Sequence, residues 1–238
     1  NAHQEKPPAE AAETTGPPAA PGPARSRPAE TDPDRIARLI DPRISETELV
    51  GRAEILEQLR SELDLAIEGD LRIALLAGEG GIGKTRIAAE LAAERSDVAV
   101  LYGRCEPNEV RPFRVWAGLL RSATRQSGID LAGVVGGDGP VLARILPELV
   151  RQLDLPDPGP ANDVEVERRA LFGAVSRTIA RLTAARPTLV VLDDLHWADR
   201  STLMMLSSLA GDNPIRGVLA LGLYRDTELP DDSLLAET

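Results

Sequence analysis

Residues 78–85 have the sequence Gly78-Glu79-Gly80-Gly81-Ile82-Gly83-Lys84-Thr85, which matches every fixed position of a phosphate-binding loop. The chain has 27 basic residues, and apart from Lys6 and Lys84 all of them are arginines. The backbone N–H groups of such a turn wrap phosphates, and a slim ammonium reaches the β- and γ-phosphates where a planar guanidinium does not fit. The stretch therefore predicts a site for a nucleoside triphosphate.

The segments on either side of the loop have the composition that this site requires. The apolar residues 71–77 predict a buried strand that leads into the loop, and residues 85–92 predict a helix that leaves it. The positive end of that helix would face the phosphates. The predicted nucleotide contacts, with Lys84 also a catalytic candidate, are Gly78, Glu79, Gly80, Gly81, Ile82, Gly83, Lys84, Thr85 and Arg86.

Composition limits the class of protein and its partners. The chain has 238 residues, of which 42% are hydrophobic, enough for one α/β domain and a tail. Its net charge of −11 argues against a nucleic-acid partner, which would require a basic surface. The single Cys105 excludes an internal disulfide and fits a reducing compartment. No apolar run approaches the roughly 18 residues of a membrane span, so we expect a cytoplasmic location and no membrane partner.

The N-terminal segment differs in composition from the rest of the chain. Residues 1–45 contain nine of the nineteen prolines and lack a periodic apolar pattern. They predict a disordered Pro/Ala-rich linker, because so little apolar surface cannot offset the entropy of ordering. Residues 46–238 then form the nucleotide-binding domain. Because the chain begins at Asn1, we expect it to be part of a longer polypeptide whose other domains are its partners.

Hydrophobic periodicity predicts alternating strands and helices. The predicted strands are 71–77, 98–102, 188–193 and 218–223, and the predicted helices include 55–67, 113–123 and 201–210. Asn162, three residues before Glu165, predicts the start of a long helix. Residues 128–140 are rich in glycine and predict a loop, and Pro147 predicts a break in the helix over 141–153. This alternation predicts an α/β fold with a parallel sheet flanked by helices.

The sequence predicts a second part of the site, which is acidic, at the same edge of the sheet as the loop. The apolar run 188–192 is followed by Asp193 and Asp194, so both carboxylates emerge at the carboxyl end of a buried strand. Mg²⁺ binds through one or two carboxylates together with phosphate oxygens and waters. We predict that Asp193 holds the magnesium ion through a water, that the hydroxyl of Thr85 is the second protein ligand, and that Asp194 is the base that polarises the attacking water.

Arg225 follows the last predicted strand, at the same edge. Its guanidinium would sense the γ-phosphate there, or it is one more surface arginine in a chain rich in arginine. Both interpretations stay open.

The sequence lacks the motifs of several other classes of nucleotide-binding protein. The residue three after Asp193 is His196 and not the glycine of a GTPase, and no lysine is present for a guanine-binding motif. The Leu-Ser-Gly-Gly-Gln signature of transporter ATPases is also absent. Three functions remain: a regulatory ATPase switch, an interaction platform that holds nucleotide without turnover, and a small-molecule kinase.

These elements together resemble the nucleotide-binding domain of the STAND class of P-loop ATPases, related to the AAA proteins. The most similar version is found in large bacterial transcription regulators of the LuxR and SARP types and beside class III nucleotide cyclases. The resemblance extends from about residue 49 to residue 229. The stretches that carry it are Leu49-Val50-Gly51-Arg52, the loop, Leu101-Tyr102-Gly103-Arg104-Cys105, Val191 to Asp199 and Tyr224-Arg225.

The resemblance implies further expectations. Gly51 and Arg52 would lie against adenine, which favours ATP and ADP as ligands. The family has a glutamate at the position aligned with Ile55, whereas here the adjacent residue Glu54 is the glutamate. Asp194 would be the catalytic base and Arg225 the γ-phosphate sensor. The family's sheet has the order 5-1-4-3-2, so a fifth strand and a winged-helix lid would lie beyond Thr238. We therefore expect slow hydrolysis, a signalling or transcription-regulating role, and self-association that depends on nucleotide.

Overall fold

The computed structural model describes residues 52–107, 111–124, 130–159, 163–211 and 215–228. The predicted linker over 1–45, Gly51 and Asn162 lie outside these residues.

The described strands form one parallel sheet. They are β1 (Arg72–Ala77), β2 (Ala99–Arg104), β3 (Thr188–Asp193) and β4 (Val218–Tyr224), in the order β1-β4-β3-β2. Every residue of β3 is buried, as expected for an apolar strand covered on both faces. The predicted α/β fold with a parallel sheet is confirmed, and the order of these strands is the one that the resemblance implied.

The register of the strands brings their carboxyl ends together. Arg104 at the end of β2 lies opposite Asp193 of β3, and Ala77 at the end of β1 lies opposite Tyr224 of β4. Open α/β sheets bind their ligands at this edge, because the loops that leave the strands converge there. The loop after β1 and the acidic pair at the end of β3 therefore face the same space.

Helices cover both faces of the sheet. They are α1 (Ala53–Glu68), α2 (Lys84–Glu94), α3 (Arg114–Thr124), α4 (Leu131–Val135), α5 (Gly139–Leu142), α6 (Glu148–Gln152), α7 (Val164–Ala185) and α8 (Arg200–Leu209). The first two pack with Leu189, Val191 and Leu221 in one core, and the other helices pack with Val190, Leu192 and Ala220 in a second. Alternate residues of the strands thus enter opposite cores. In the described part of the chain, no helix has both the length and the apolar character needed to cross a bilayer.

The prediction of a loop over 128–140 was wrong for its described part. Helix α4, a 3-10 turn over Gly136–Asp138 and helix α5 occupy it. Asp138 is buried and accepts hydrogen bonds from Arg177 (Nη2, 2.6 Å) and Arg181 (Nη1, 2.8 Å) of α7. Burial alone would raise the pKa of Asp138, but the two guanidinium groups outweigh it and lower the pKa. This long-range contact orders a glycine-rich segment whose local composition favours a loop.

The start of α7 also differs by one residue from the prediction. The side chain of Asp163 accepts hydrogen bonds from the backbone N–H groups of Glu165 (2.9 Å) and Val166 (3.1 Å). Asp163 is therefore the N-cap residue, in place of the predicted Asn162. Both residue types cap helices well, so the sequence alone did not distinguish them.

We predict that Gly103→Ala destabilises the domain by about 1–3 kcal/mol, the usual cost of overpacking. A Cβ at Gly103 would lie 2.7 Å from Cγ2 of Val115 and 3.0 Å from Cγ of Leu119, because α3 packs directly on β2. Urea denaturation followed by circular dichroism measures the effect. The control is Gly118→Ala on α3, where a Cβ has nothing within 4 Å. Equal stability of the two variants would show that α3 does not approach β2 so closely.

Candidate nucleotide-binding site

The loop between β1 and α2 has a backbone that requires glycine. The φ angles of Gly78, Gly81 and Gly83 are 150°, 78° and 100°, in the region that other residues rarely adopt. Helix α2 begins at Lys84, directly after Gly83, which has no side chain to cap the first backbone N–H groups. A phosphate group is the ligand that such an N-terminus fits, since it accepts those hydrogen bonds and carries negative charge.

Lys84 lies folded over this loop. Its Nζ donates hydrogen bonds to the carbonyl oxygens of Gly78 (2.6 Å) and Glu79 (2.8 Å). Burial and the positive charge of Arg225 lower the pKa of Lys84, while the acidic groups of Asp193, Asp194 and Asp226 oppose that shift. The ammonium group therefore lies among the same charged residues that the sequence assigned to the triphosphate site.

Asp193 connects the loop to the central strand. Its Oδ2 accepts hydrogen bonds from the hydroxyl groups of Thr85 (3.0 Å) and Tyr102 (2.9 Å), and its Oδ1 accepts one from the backbone N–H of Asp194 (2.9 Å). Asp193 is 5% exposed, so this carboxylate is satisfied by protein groups and not by bulk water. The two residues predicted as magnesium ligands, Thr85 and Asp193, are in direct contact.

These residues fit a magnesium–nucleotide complex. The Thr85 hydroxyl donates a hydrogen bond to Asp193, so the lone pairs of the hydroxyl oxygen are left to face a cation. Among the described residues, no group of three or more His, Cys, Asp or Glu side chains is arranged to hold a metal by itself. A cation here would thus depend on phosphate oxygens and waters for its remaining ligands, as Mg²⁺ does in nucleotide sites.

Asp194 is held between two arginines. It has a left-handed backbone (φ 52°, ψ 43°), and 14% of its side chain is exposed. Oδ2 accepts hydrogen bonds from Nε (2.8 Å) and Nη2 (2.6 Å) of Arg104, while Nε of Arg225 is 4.0 Å from Oδ1. The predicted base is therefore ion-paired in this arrangement.

Arg225 lies beside the loop. A Cβ built on Gly80 would be 3.4 Å from Cζ of Arg225, so the guanidinium covers the backbone of that glycine. Arg225 lies near Gly80 and Asp194, and its positive charge lowers the pKa of Lys84. It is therefore one of the charged groups of the site. The role of Arg225 as the sensor of the γ-phosphate stays a prediction, and this position beside the loop is compatible with it.

The start of α1 also contacts the loop. Nη2 of Arg52 donates a hydrogen bond to the carbonyl oxygen of Ile82 (2.9 Å), and Ile82 itself is 41% exposed. Arg86 is half-buried in the first turn of α2. The structure thus brings together all the described residues that were predicted to bind nucleotide, while Gly51 is outside the described part.

Sequence reasoning missed the roles of Tyr102 and Arg104. Both belong to a stretch that carried the family resemblance, but neither was assigned a contact. They are two residues apart on β2, so they point to the same side of the sheet, and each holds one member of the acidic pair. Burial, followed by the charge of Asp193 and the hydrogen bond to it, raises the pKa of Tyr102, so its hydroxyl remains a donor.

Cys105 is not a nucleophile in this site. It follows β2 directly and is buried. Burial, together with the charges of Asp199, Asp194 and Asp193, raises the pKa of its thiol to about 12. The thiol therefore stays protonated near neutral pH, where only a thiolate would attack.

A separate cleft lies away from these residues. It has a volume of about 510 Å³ and is lined by residues 143–159, among them Arg144, Pro147 and Gly159. It shares no lining residue with the loop or the acidic pair. The chemistry of the loop, and not the size of a cavity, identifies the candidate site.

The fold and the site together define a P-loop nucleotide-binding domain. A family model described as "AAA ATPase domain" matches residues 48–221, well over half of the chain, and the protein belongs to that family. No curated protein matches the chain. Among solved structures, the crystal structure of Cdc6p from Pyrobaculum aerophilum is similar, with 17% identity and a TM-score of 0.41. The similarity covers 81% of this chain and 44% of that one, so the chain spans less than half of that protein's length.

We predict that Lys84→Ala abolishes binding of ATP while the domain stays folded, because the ammonium contacts loop carbonyls and not the apolar core. Titration with a fluorescent ATP analogue measures the loss, and thermal melting checks the fold. Lys6→Ala, which removes the only other lysine, is the matched control and should bind as the wild type does. Tight binding by a folded Lys84→Ala variant would contradict the assignment of the loop.

Proposed function

We propose that this protein is a regulatory switch that binds ATP with Mg²⁺ and hydrolyses it slowly to ADP. The observation that carries the proposal is the pairing of Asp194 with Arg104 beside an intact binding loop. A site built only for turnover would present its base to water, whereas this one holds its base in an ion pair. Membership in the AAA ATPase family supports the activity.

The cellular role follows from the family resemblance. We propose a STAND-class domain in a multidomain bacterial signalling protein, most consistent with a cytoplasmic transcriptional regulator. The occupancy of ATP or ADP would set whether the other domains of the polypeptide, or further copies of it, assemble. DNA contacts would then belong to other domains, in keeping with the net charge of −11 here.

Binding would use the loop and the residues around it. The backbone N–H groups of 78–85 and the ammonium of Lys84 would hold the β- and γ-phosphates. Thr85 and Asp193 would hold Mg²⁺, which neutralises charge on the phosphate oxygens when bound. Arg52, which fixes the loop through the carbonyl of Ile82, would direct adenine toward the start of α1. The charge of the phosphates would offset the burial that lowers the pKa of Lys84.

Hydrolysis would require Asp194 to accept a proton from the attacking water. The water oxygen forms a bond to the γ-phosphorus, and the bond from that phosphorus to the bridging oxygen of ADP breaks. Arg225 lies where it can stabilise charge on the γ-phosphate, close to Gly80. While Oδ2 of Asp194 accepts two hydrogen bonds from Arg104, however, that oxygen is not available to contact the attacking water.

The strength of the pair suits a switch. The side chain of Arg104 is 57% exposed, so water screens its interaction with Asp194. Ion pairs with an exposed partner stabilise by about 0–1 kcal/mol. A small conformational change at the end of β2 is therefore enough to separate Arg104 from Asp194. We propose that this release makes Asp194 available as the base. If the release never occurs, the same pair supports the second candidate, a platform that holds nucleotide without turnover.

We predict that the two acidic residues have separable roles. Asp193→Asn should weaken the Mg²⁺-dependent part of ATP binding, because it changes the carboxylate that contacts Thr85. Asp194→Asn should keep that binding but slow hydrolysis by roughly 10²-fold or more, because it removes the base. Nucleotide titrations with and without Mg²⁺, and single-turnover hydrolysis of labelled ATP, measure the two effects. Equal losses of affinity in both variants would show that the roles are wrongly assigned.

We also predict that Arg104→Ala speeds single-turnover hydrolysis by about fivefold, the factor that corresponds to removing a restraint of about 1 kcal/mol. Arg95→Ala is the matched control, because it removes an arginine that is ion-paired with Asp64 and Asp97 far from the loop. The control should leave hydrolysis unchanged. Slower hydrolysis in Arg104→Ala would mean that Arg104 assists the reaction, and an unchanged absence of turnover in both would favour the platform.

A further inference from the structure

Tyr102 is a part of the site that the proposed function leaves without a role. It lies on β2 opposite Val191, two residues before the end of β3, and its half-buried side chain reaches forward to Asp193. Its hydroxyl is 2.9 Å from Oδ2 of Asp193. A phenylalanine would fill the same space, so the hydroxyl is the only part of this side chain that acts on the carboxylate.

The hydrogen bonds to Asp193 are distributed unevenly between its two oxygens. Oδ2 accepts from both Thr85 and Tyr102, whereas Oδ1 accepts from the backbone N–H of Asp194. Each carboxylate oxygen has about two acceptor directions. Within the described residues, both directions at Oδ2 are therefore used, and one remains at Oδ1.

We propose that Tyr102 is a positioning residue that determines which cation the site accepts. By filling Oδ2, its hydroxyl prevents Asp193 from binding a cation through both oxygens. The remaining direction at Oδ1 suits a single contact, such as a hydrogen bond from a water bound to the metal. This inference rests on the proposed function, since it assigns a role toward the cation that accompanies ATP.

The two common cellular divalent cations differ in this respect. Ca²⁺ takes six to eight oxygen ligands and often binds a carboxylate through both oxygens. Mg²⁺ is smaller, keeps several waters and binds through one or two carboxylates together with phosphates. A carboxylate with one oxygen closed therefore favours Mg²⁺ over Ca²⁺. Loss of the Tyr102 hydroxyl would open Oδ2 and reduce that preference.

The test compares nucleotide binding by the full chain with Mg²⁺, with Ca²⁺ and with EDTA. In Tyr102→Phe we expect affinity in EDTA to stay within about twofold of wild type. We expect the ratio of the strengthening by Mg²⁺ to the strengthening by Ca²⁺ to fall about tenfold, because Oδ2 is then open to a second contact with Ca²⁺ and the hydrogen bond that closed it was to a charged group. A merely structural role for the hydroxyl would change all three affinities together.

The matched control is Tyr224→Phe, which removes the hydroxyl of the only other tyrosine and should leave the ratio of Mg²⁺ to Ca²⁺ unchanged. Thermal melting without nucleotide checks that each variant is folded. The proposal is overturned if the ratio is the same in Tyr102→Phe and wild type. Wild-type protein that binds nucleotide equally well with either cation would also overturn it, whatever the variant does. Wild-type protein that binds no nucleotide at all would instead refute the proposed function.

Discussion

The hydrogen bond between the Thr85 hydroxyl and Oδ2 of Asp193 joins two elements that are 108 residues apart, and the rest of the site depends on it. Thr85 is held in the first turn of α2. That helix can begin at Lys84 because the glycines of the preceding loop adopt positive φ angles. Asp193 is fixed because all six residues of β3 are buried, so the strand cannot slide without exposing its apolar side chains. The buried strand thus holds the Asp193 carboxylate at hydrogen-bonding distance from Thr85.

Charge is nearly balanced around this contact. Lys84, Arg104 and Arg225 face Asp193, Asp194 and Asp226 at one end of the sheet. A triphosphate would bring several negative charges into that balance and compete with Asp194 for the arginines. Binding of ATP and the restraint on Asp194, both proposed above, would thus involve the same arginines.

The sequence was sufficient for the architecture because periodicity and the loop motif are local. The loop and the acidic pair follow from short stretches such as 78–85 and 188–194, whereas the order of the strands was implied by the family resemblance. What it missed depends on contacts between distant residues. Strand β2 was predicted to end at residue 102 but continues to Arg104, because its backbone pairs with β3 as far as Asp193. Those two added residues bring Arg104 to the carboxyl edge, and the pairing with β3 places Tyr102 beside Asp193.

Both restraints on the acidic pair therefore belong to one strand. In the described sheet β2 pairs only with β3, and its other neighbour is α3, which packs on Gly103 without space for a methyl group. Gly103 lies between Tyr102, which holds Asp193, and Arg104, which holds Asp194. Because no free space remains between α3 and β2 at Gly103, a displacement of α3 toward the sheet must move or distort β2. A displacement of α3 would thus act at the same time on Asp193 and Asp194, the residues proposed above as the metal ligand and the base.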